Sequence, residues 1–167
     1  MKYTSAEAAK ILRQLNEDYN AVLAMEVQSR EFLASVGEDV ESVRPEYDYA
    51  QVQAQLEELE KKIRTVKHAI NVFNATTVVP GFDMTIDCIL VYIPQLTQRK
   101  NKLFAMKSRL PKAREPVAYG KNIIDYRYAN YDIGAAEADY IKAAEELSRV
   151  QTALDLVNST ETMEIDI

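Results

Sequence analysis

The side chains that enzymes most often use as nucleophiles and metal ligands are scarce in this sequence of 167 residues, which has one histidine and one cysteine. His68 has no carboxylate at the three-residue spacing of di-iron bundles, and its place between two apolar stripe residues points it to solvent. Cys88 has no second cysteine and no adjacent base, so we expect a packing residue rather than a nucleophile. The four glycines are too far apart for a phosphate-binding loop. These observations predict a protein that is not an enzyme and has no catalytic residue, metal or cofactor.

Charge is segregated along the chain. Residues 1–60 carry a net charge of −8, residues 61–121 carry +9 and residues 122–167 carry −7, while the whole chain carries −6. Seven bases and no acid lie between Arg99 and Arg114. A basic segment of this kind is the electrostatic footprint that binding to RNA, DNA or an anionic lipid would need.

The candidate interaction residues combine bases of this segment with tyrosines that follow it. The bases that could contact phosphates are Arg99, Lys100 and Lys102. The rings that could stack on nucleic-acid bases are Tyr119, Tyr126, Tyr128 and Tyr131. Because the chain is acidic overall and has two acidic segments, the simpler interpretation is that the basic helix faces acidic helices of its own bundle or of a neighbouring subunit.

Glu26 occupies a position in an apolar stripe where a hydrophobic residue is expected. One interpretation is that the stripe drifts and the carboxylate reaches solvent at the end of the bundle. The other is a polar contact that fixes helix register, as buried polar residues do in some coiled coils. That contact would require a partner, because an unpaired buried carboxylate is costly.

Long helices are the elements that would position these side chains. Thr4 and Glu7 have the spacing of a capping box, so the first helix begins there, and its apolar stripe continues to Leu33 with Gly37 as its end. The following segment, Val36 to Tyr47, is predicted to be a solvated connection.

The second helix has the regular spacing of a coiled coil. Apolar residues recur from Val52 to Phe73 at alternating steps of four and three, within a helix predicted from Tyr49 to Asn74 and capped by Asp48. A rod of about 40 Å is stable only if another helix covers its stripe. The first helix is the natural cover.

A third helix is predicted from a cap at Thr85 to Leu110. Pro94 removes a backbone donor inside it, so we expect a kink or a short break near Val91 to Ile93. A fourth helix is predicted from a cap at Asp132 to Asn158.

Period-two alternation predicts strands at two places. The first contains Ile124, Tyr126 and Tyr128. The second is the segment at the end of the sequence, with Met163, Ile165 and Ile167. We expect this second strand to lie on the tyrosine-rich one.

These elements predict a mainly all-α protein with four long antiparallel helices in two coiled-coil hairpins and a small β-ribbon. We expect a single helical-bundle domain over residues 1–167, with hairpins at 4–75 and 85–158 and a strand insert at 121–131. The ends of the second and fourth helices match at a shift of 84 residues, and the starts of the first and third match at a shift of 81. The two hairpins are therefore predicted to be a duplication.

A resemblance to a known family rests on short motifs at the helix ends: a helix ending in NATT, a Thr-opened helix, an Ile-x-Tyr strand before an Asp-capped helix, and a closing Asn-x-Thr. These motifs resemble a family of small, uncharacterised bacterial helical proteins, some of which are labelled septicolysin. The matching positions are Asn74, Thr76, Thr85, Tyr126, Asp132, Asn158 and Thr160. The resemblance implies a helical fold and, through the label, a cytolytic activity, but it supplies no catalytic residue.

We therefore predict a non-enzymatic structural or protein-interaction module, a homo-oligomeric helical scaffold whose partner is itself or another protein. The alternative is a nucleic-acid-binding module that uses the basic third helix. A membrane-acting lytic role ranks third and rests on the family label alone.

The sequence also predicts the cellular compartment of the protein. The longest apolar run, from Ile86 to Ile93, is interrupted by Asp87 and is far shorter than the roughly 20 residues needed to span a bilayer. A single cysteine and the lack of an apolar leader at the start of the sequence predict a cytoplasmic protein.

Overall fold

A computed structural model describes residues 1–116 and 124–167. Within these residues the fold is mainly all-α, with four long helices, one short helix and three two-stranded antiparallel sheets. The chain forms two compact units, the first from Met1–Thr76 and Asn158–Ile167 and the second from Thr77–Val157. The single domain expected over residues 1–167 stays a prediction.

The first unit is built on two helices, α1 (Ser5–Ser29) and α3 (Tyr49–Thr76). The predicted capping box starts α1: the Glu7 N–H donates to the Thr4 hydroxyl, and the Thr4 N–H donates to the Glu7 carboxylate at 2.8 Å. Asp48 caps α3 by accepting from the backbone N–H three residues later. The two helices contribute these buried apolar residues: Ala8, Val22, Leu56, Val66 and Phe73.

Helix α1 ends at Ser29, and the prediction that it continues to Gly37 is wrong. Hydrogen bonds between side chains define an antiparallel register of α1 and α3; they join Tyr19 to Glu60 and Glu26 to Gln53. In that register the first turn of α3 lies opposite the last turn of α1, so a longer α1 would have no helix to pack against. Leu33, expected in the stripe, is 96% exposed.

The connection between α1 and α3 contains a turn and the short helix α2 (Val40–Val43). Gly37 has a φ of 90° in this turn, a left-handed conformation that glycine adopts without steric cost. The Asp39 carboxylate caps α2 by accepting from the Glu41 N–H.

Strand β1 (Lys2–Thr4) pairs with β6 (Thr162–Glu164) in the first unit. The predicted strand near the end of the sequence is therefore present, but its expected pairing with the tyrosine-rich strand is wrong. Met163 and Ile165 are buried, as the alternation indicates, whereas Ile167, the third residue of that pattern, is 43% exposed. The sequence pattern could not identify the partner, because three residues of β1 are too few for a period-two signal.

The second unit contains α4 (Ile86–Lys107) and most of α5 (Ile133–Thr160). The helices are antiparallel, because side-chain contacts join Tyr92 to Glu146, Phe104 to Tyr140 and Lys107 to Glu137. Asp132 caps α5 as predicted. The two helices contribute these buried apolar residues: Ile86, Ile89, Leu96, Leu103, Ala136, Ala143, Leu147, Val150, Leu154 and Val157.

Helix α4 continues through Pro94 without interruption, so the break expected near Val91 to Ile93 is wrong. Pro94 is exposed, and the carbonyl that loses its donor can therefore be hydrated. Ile89 and Leu96 lie on either side of the proline and are fully buried, which holds the helix in place.

A short hairpin precedes α4, formed by β2 (Val78–Val79) and β3 (Met84–Thr85). Gly81, in the connecting turn, has a φ of 84°. The Thr85 hydroxyl donates to the Asp87 carboxylate and accepts no backbone hydrogen bond, so α4 begins where expected but without the expected cap contact.

The two strand pairs have equivalent registers in the two halves of the sequence. Thr4 pairs with Thr162, and Thr85 pairs with Val78. The shift of 81 relates Thr4 to Thr85, and the shift of 84 relates Val78 to Thr162. This register does not depend on the apolar stripes of the helices and is therefore independent support for the duplication.

Candidate interaction site at the ribbon

A two-stranded ribbon follows α4 and consists of β4 (Lys112–Arg114) and β5 (Tyr126–Tyr128). The strand predicted at the tyrosines is therefore present over these three residues. Tyr119, and the start of the predicted insert at residues 121–123, lie outside the described residues.

One face of the ribbon combines aromatic rings with positive charge. Lys112 pairs with Tyr128 and Arg114 pairs with Tyr126, so all four side chains are on the same side. We call these four residues the ribbon face. Tyr126 is 47% exposed and Tyr128 is 63% exposed.

Lys112 lies above both tyrosine rings of the ribbon face. Its Nζ is 4.2 Å from the centre of the Tyr126 ring and 5.4 Å from that of Tyr128. At these distances the cation is attracted to the negative face of each ring, which orders both rings at the surface.

The opposite side of the ribbon is held by an ion pair between Arg127 and Glu115. The hydrogen bond from the Arg127 guanidinium holds the pKa of the Glu115 carboxyl below its usual range, and the positive charge of Arg109 adds to this effect. Glu115 is therefore ionised at neutral pH and ties the two strands together.

Tyr131 anchors the ribbon to the end of α4. Its hydroxyl donates to the Met106 carbonyl oxygen at 2.8 Å, and its side chain is half-buried. Among the three predicted tyrosines in the described residues, Tyr131 is therefore a structural contact, whereas Tyr126 and Tyr128 are available at the surface.

The predicted bases of α4 lie on a different element. Arg99 and Lys102 are exposed and Lys100 is half-buried. In the part of the chain that the structure describes, no ion pair joins these three to a carboxylate, and no ring contact joins them to Tyr126 or Tyr128. The structure therefore does not bring the two groups of candidate residues together.

Lys107 is the basic residue of α4 that pairs with an acidic helix. Its Nζ lies 3.4 Å from the Glu137 carboxylate and 4.5 Å from the centre of the Tyr140 ring, both on α5. This contact agrees with the expectation that the basic helix faces acidic residues of its own bundle, but only at this end of α4 in the described structure.

Lys112 and Arg114 are not among the interaction residues predicted from the sequence, although they share a face with the tyrosines. The signal was present, because Lys-Ala-Arg at 112–114 alternates with the same period as Tyr-Arg-Tyr at 126–128. Without the register, however, nothing indicated that the two segments pair.

The remaining sequence candidates lie elsewhere. His68 is exposed, as predicted, and Cys88 is also exposed, so its expected packing role is wrong. Ile89 and Ile86 point into the core on either side of it, and the helix turns Cys88 outward between them. The described residues contain no cluster of three potential metal ligands. None of the helices in residues 1–116 and 124–167 is long and apolar enough to cross a membrane.

Comparison with known proteins shows the fold of the chain. No family model and no curated protein matches the sequence. The crystal structure of a functionally unknown conserved protein from Corynebacterium diphtheriae is similar, with a TM-score of 0.60 and 16% sequence identity over 98% of this chain and 100% of that one. At this identity the likeness shows a shared fold.

Proposed function

We propose that the protein is a non-enzymatic interaction module that self-associates, with the ribbon face of one copy against the acidic connection between α1 and α3 of another. The observation that carries this proposal is the ribbon face. Exposed tyrosines beside fixed cations are typical of interface centres, because they offer a large contact area at a small cost in conformational entropy.

The acidic connection is complementary to the ribbon face in charge. Between residues 30 and 48 it has two bases and six acids, Glu31, Glu38, Asp39, Glu41, Glu46 and Asp48. It is also complementary in polarity, because three large apolar side chains are exposed there, namely Leu33, Val36 and Val40. A basic and aromatic surface could cover these side chains while its cations approach the carboxylates.

Each copy would offer both surfaces, so the contact is heterologous and each copy could bind two others. A defined mass in solution would then indicate a closed ring. Because the charges lie at exposed positions, the association should weaken as the salt concentration rises.

Light scattering tests this proposal by comparing the mass in solution with the 19.0 kDa of one chain. We expect a multiple of that mass at low salt and a smaller mass at high salt. Arg114→Glu and Glu46→Lys should each give monomers, because every copy then has one altered surface. An equimolar mixture of the two should associate again, because the unaltered connection of the first variant can bind the unaltered ribbon face of the second, and the two altered surfaces carry opposite charges. Arg99→Glu is the matched control on α4 and should associate normally. A monomeric wild-type protein at all concentrations and salt conditions would contradict the proposal.

A second candidate function is binding of single-stranded nucleic acid by the ribbon face. Two ordered, exposed rings beside two cations are the arrangement that stacks bases and neutralises phosphates. A monomeric wild-type protein that binds single-stranded RNA, with affinity that falls steeply with salt and is weakened by Tyr126→Ser, would favour this candidate over self-association.

Membership of the septicolysin-like family is also part of our proposal. It is supported by the position of the matching residues, since Thr85 and Asp132 directly precede α4 and α5, while Thr76 and Thr160 are the last residues of α3 and α5.

A further inference from the structure

The ribbon has an edge along β4 whose backbone groups point away from β5. The Glu115 N–H donates to the Asp125 carbonyl oxygen at 2.9 Å, so this pair is a hydrogen-bonded pair of the antiparallel ladder. Hydrogen-bonded and non-hydrogen-bonded pairs alternate in such a ladder. The N–H and C=O groups of Lys112 and Arg114 therefore point outward. Among the described strands, none other than β5 pairs with β4.

Side chains along this edge define the kind of strand that could be added to it. Lys112 and Arg114 are two positions apart, are on the ribbon face, and form no ion pair within residues 1–116 and 124–167. Paired residues of neighbouring strands place their side chains on the same face of a sheet. An extended segment with carboxylates at alternate positions would therefore match the edge in both backbone and charge.

Residues 44–48 of the acidic connection have this pattern. Arg44, Glu46 and Asp48 are exposed, whereas Pro45 and Tyr47 are half-buried. This alternation has the period of an extended chain. No helix or strand includes Arg44 or Glu46, and Arg44 has the extended dihedral angles φ −67° and ψ 122°.

The inner side of this segment is held by α1. The Tyr47 hydroxyl donates to the Glu26 carboxylate at 2.9 Å, and the exposed Glu46 precedes it on the other side of the segment. Within the described residues, the backbone N–H and C=O of Glu46 form no hydrogen bond. Because the segment is already extended and fixed, it would lose little conformational entropy on pairing.

We propose that residues 44–48 of one copy add to the β4 edge of another copy as an antiparallel third strand. In this register Arg114 is opposite Glu46 and Lys112 is opposite Asp48, so each base lies beside an acid. Arg114 and Glu46 exchange two backbone hydrogen bonds. A shift of two residues would instead place Arg114 opposite Arg44, where like charges repel. This inference rests on the proposed self-association and specifies the backbone pairing that produces it.

Hydrogen exchange at single-amide resolution tests the pairing on the full chain. Arg114 and Tyr126 are directly opposite in the ribbon, and their N–H groups point to opposite edges. The Arg114 amide should exchange roughly tenfold or more slowly in the associated wild-type protein than in monomeric Glu46→Lys, because it gains a hydrogen bond. The Tyr126 amide should exchange at the same rate in both. Packing of the ribbon face without strand addition would instead change the two amides equally.

Light scattering of two variants at the same position separates the backbone from the charge. Glu46→Gln and Glu46→Pro both remove the carboxylate, but only proline also removes the N–H. At low salt we expect Glu46→Gln to associate more weakly than the wild type, and Glu46→Pro to stay monomeric at concentrations where Glu46→Gln associates. Equal urea midpoints of the two variants would show that proline leaves the fold intact, and the exchange measurement does not depend on the proline variant.

The outcomes distinguish this inference from the proposed self-association. Wild-type protein that associates while Glu46→Pro associates as readily as Glu46→Gln would overturn the strand pairing and leave self-association standing. Equal slowing of the Arg114 and Tyr126 amides would do the same. A wild-type protein that is monomeric under all conditions would overturn both.

Discussion

Glu26 shows how a single residue out of pattern can have a structural role. The sequence left two interpretations open, drift into solvent or a contact that fixes register. In the structure the half-buried Glu26 carboxylate accepts hydrogen bonds from the Tyr47 hydroxyl at 2.9 Å and from the Gln53 amide at 2.8 Å. It thus links α1 to the acidic connection and to α3. These contacts favour the second interpretation.

Replacing Glu26 tests this role. Glu26→Ala should lower the urea midpoint and accelerate proteolysis of the connection, because Tyr47 and Gln53 lose their shared acceptor. Glu26→Gln, which keeps one acceptor oxygen, should have a smaller effect. Glu17→Ala, on the exposed side of α1, is the control. Equal effects of Glu26→Ala and Glu17→Ala would show that the contact does not fix the register.

At the scale of elements, the starts of helices were predicted well and the pairing of strands was not. The caps at Thr4, Asp48 and Asp132 depend on residues two or three positions away, so the sequence shows them directly. Strand pairing depends on residues far apart in the chain, and each strand here has only two or three residues. The predicted end of α1 is wrong for the same reason. That end depends on where α3 begins, which is a position far away in the chain.

The hydrogen bond between Tyr92 of α4 and Glu146 of α5 gives this helix pair a pH dependence. The hydrogen bond to Glu146 raises the pKa of Tyr92 above its ordinary value of 10, and burial adds to this effect. A raised pKa means that the protonated tyrosine stabilises the folded state. That contribution is complete below the ordinary pKa and is lost as the pH rises through the raised one.

We therefore expect the urea midpoint of the wild-type protein to fall between pH 9 and pH 11 more than that of Tyr92→Phe. At pH 8 the variant should be the less stable protein, because it lacks the hydrogen bond. Tyr49→Phe, whose side chain is 67% exposed, controls for the ionisation of other tyrosines and lysines. Parallel curves for the wild type and Tyr92→Phe would contradict the prediction.

For the whole molecule, the helical fold class could be predicted because the apolar stripes extend over many turns. The depth to which each residue is buried could not be predicted. A stripe shows which side of a helix faces its partner, but not how closely the partner packs. Leu59 and Ile63, which belong to the predicted stripe from Val52 to Phe73, are half-buried, whereas Val66 on the same stripe is fully buried. The ribbon face was predicted only in part, because β4 and β5 meet through a register that no local pattern contains.

The predicted duplication can be tested by comparing equivalent residues of the two units. Val66 in α3 and Val150 in α5 are related by the shift of 84, and both have no exposed surface. Val66→Ala and Val150→Ala each remove two methyl groups and leave a small cavity, so each should lower the free energy of unfolding by about 1.5–3 kcal/mol. Lys67→Ala, at an exposed position beside Val66, should change it by less than about 0.5 kcal/mol. Urea denaturation of the three variants measures these values. Similar losses for both valines would agree with equivalent packing in related hairpins. A large loss at one and a negligible loss at the other would show that the cores of the two hairpins are not equivalent.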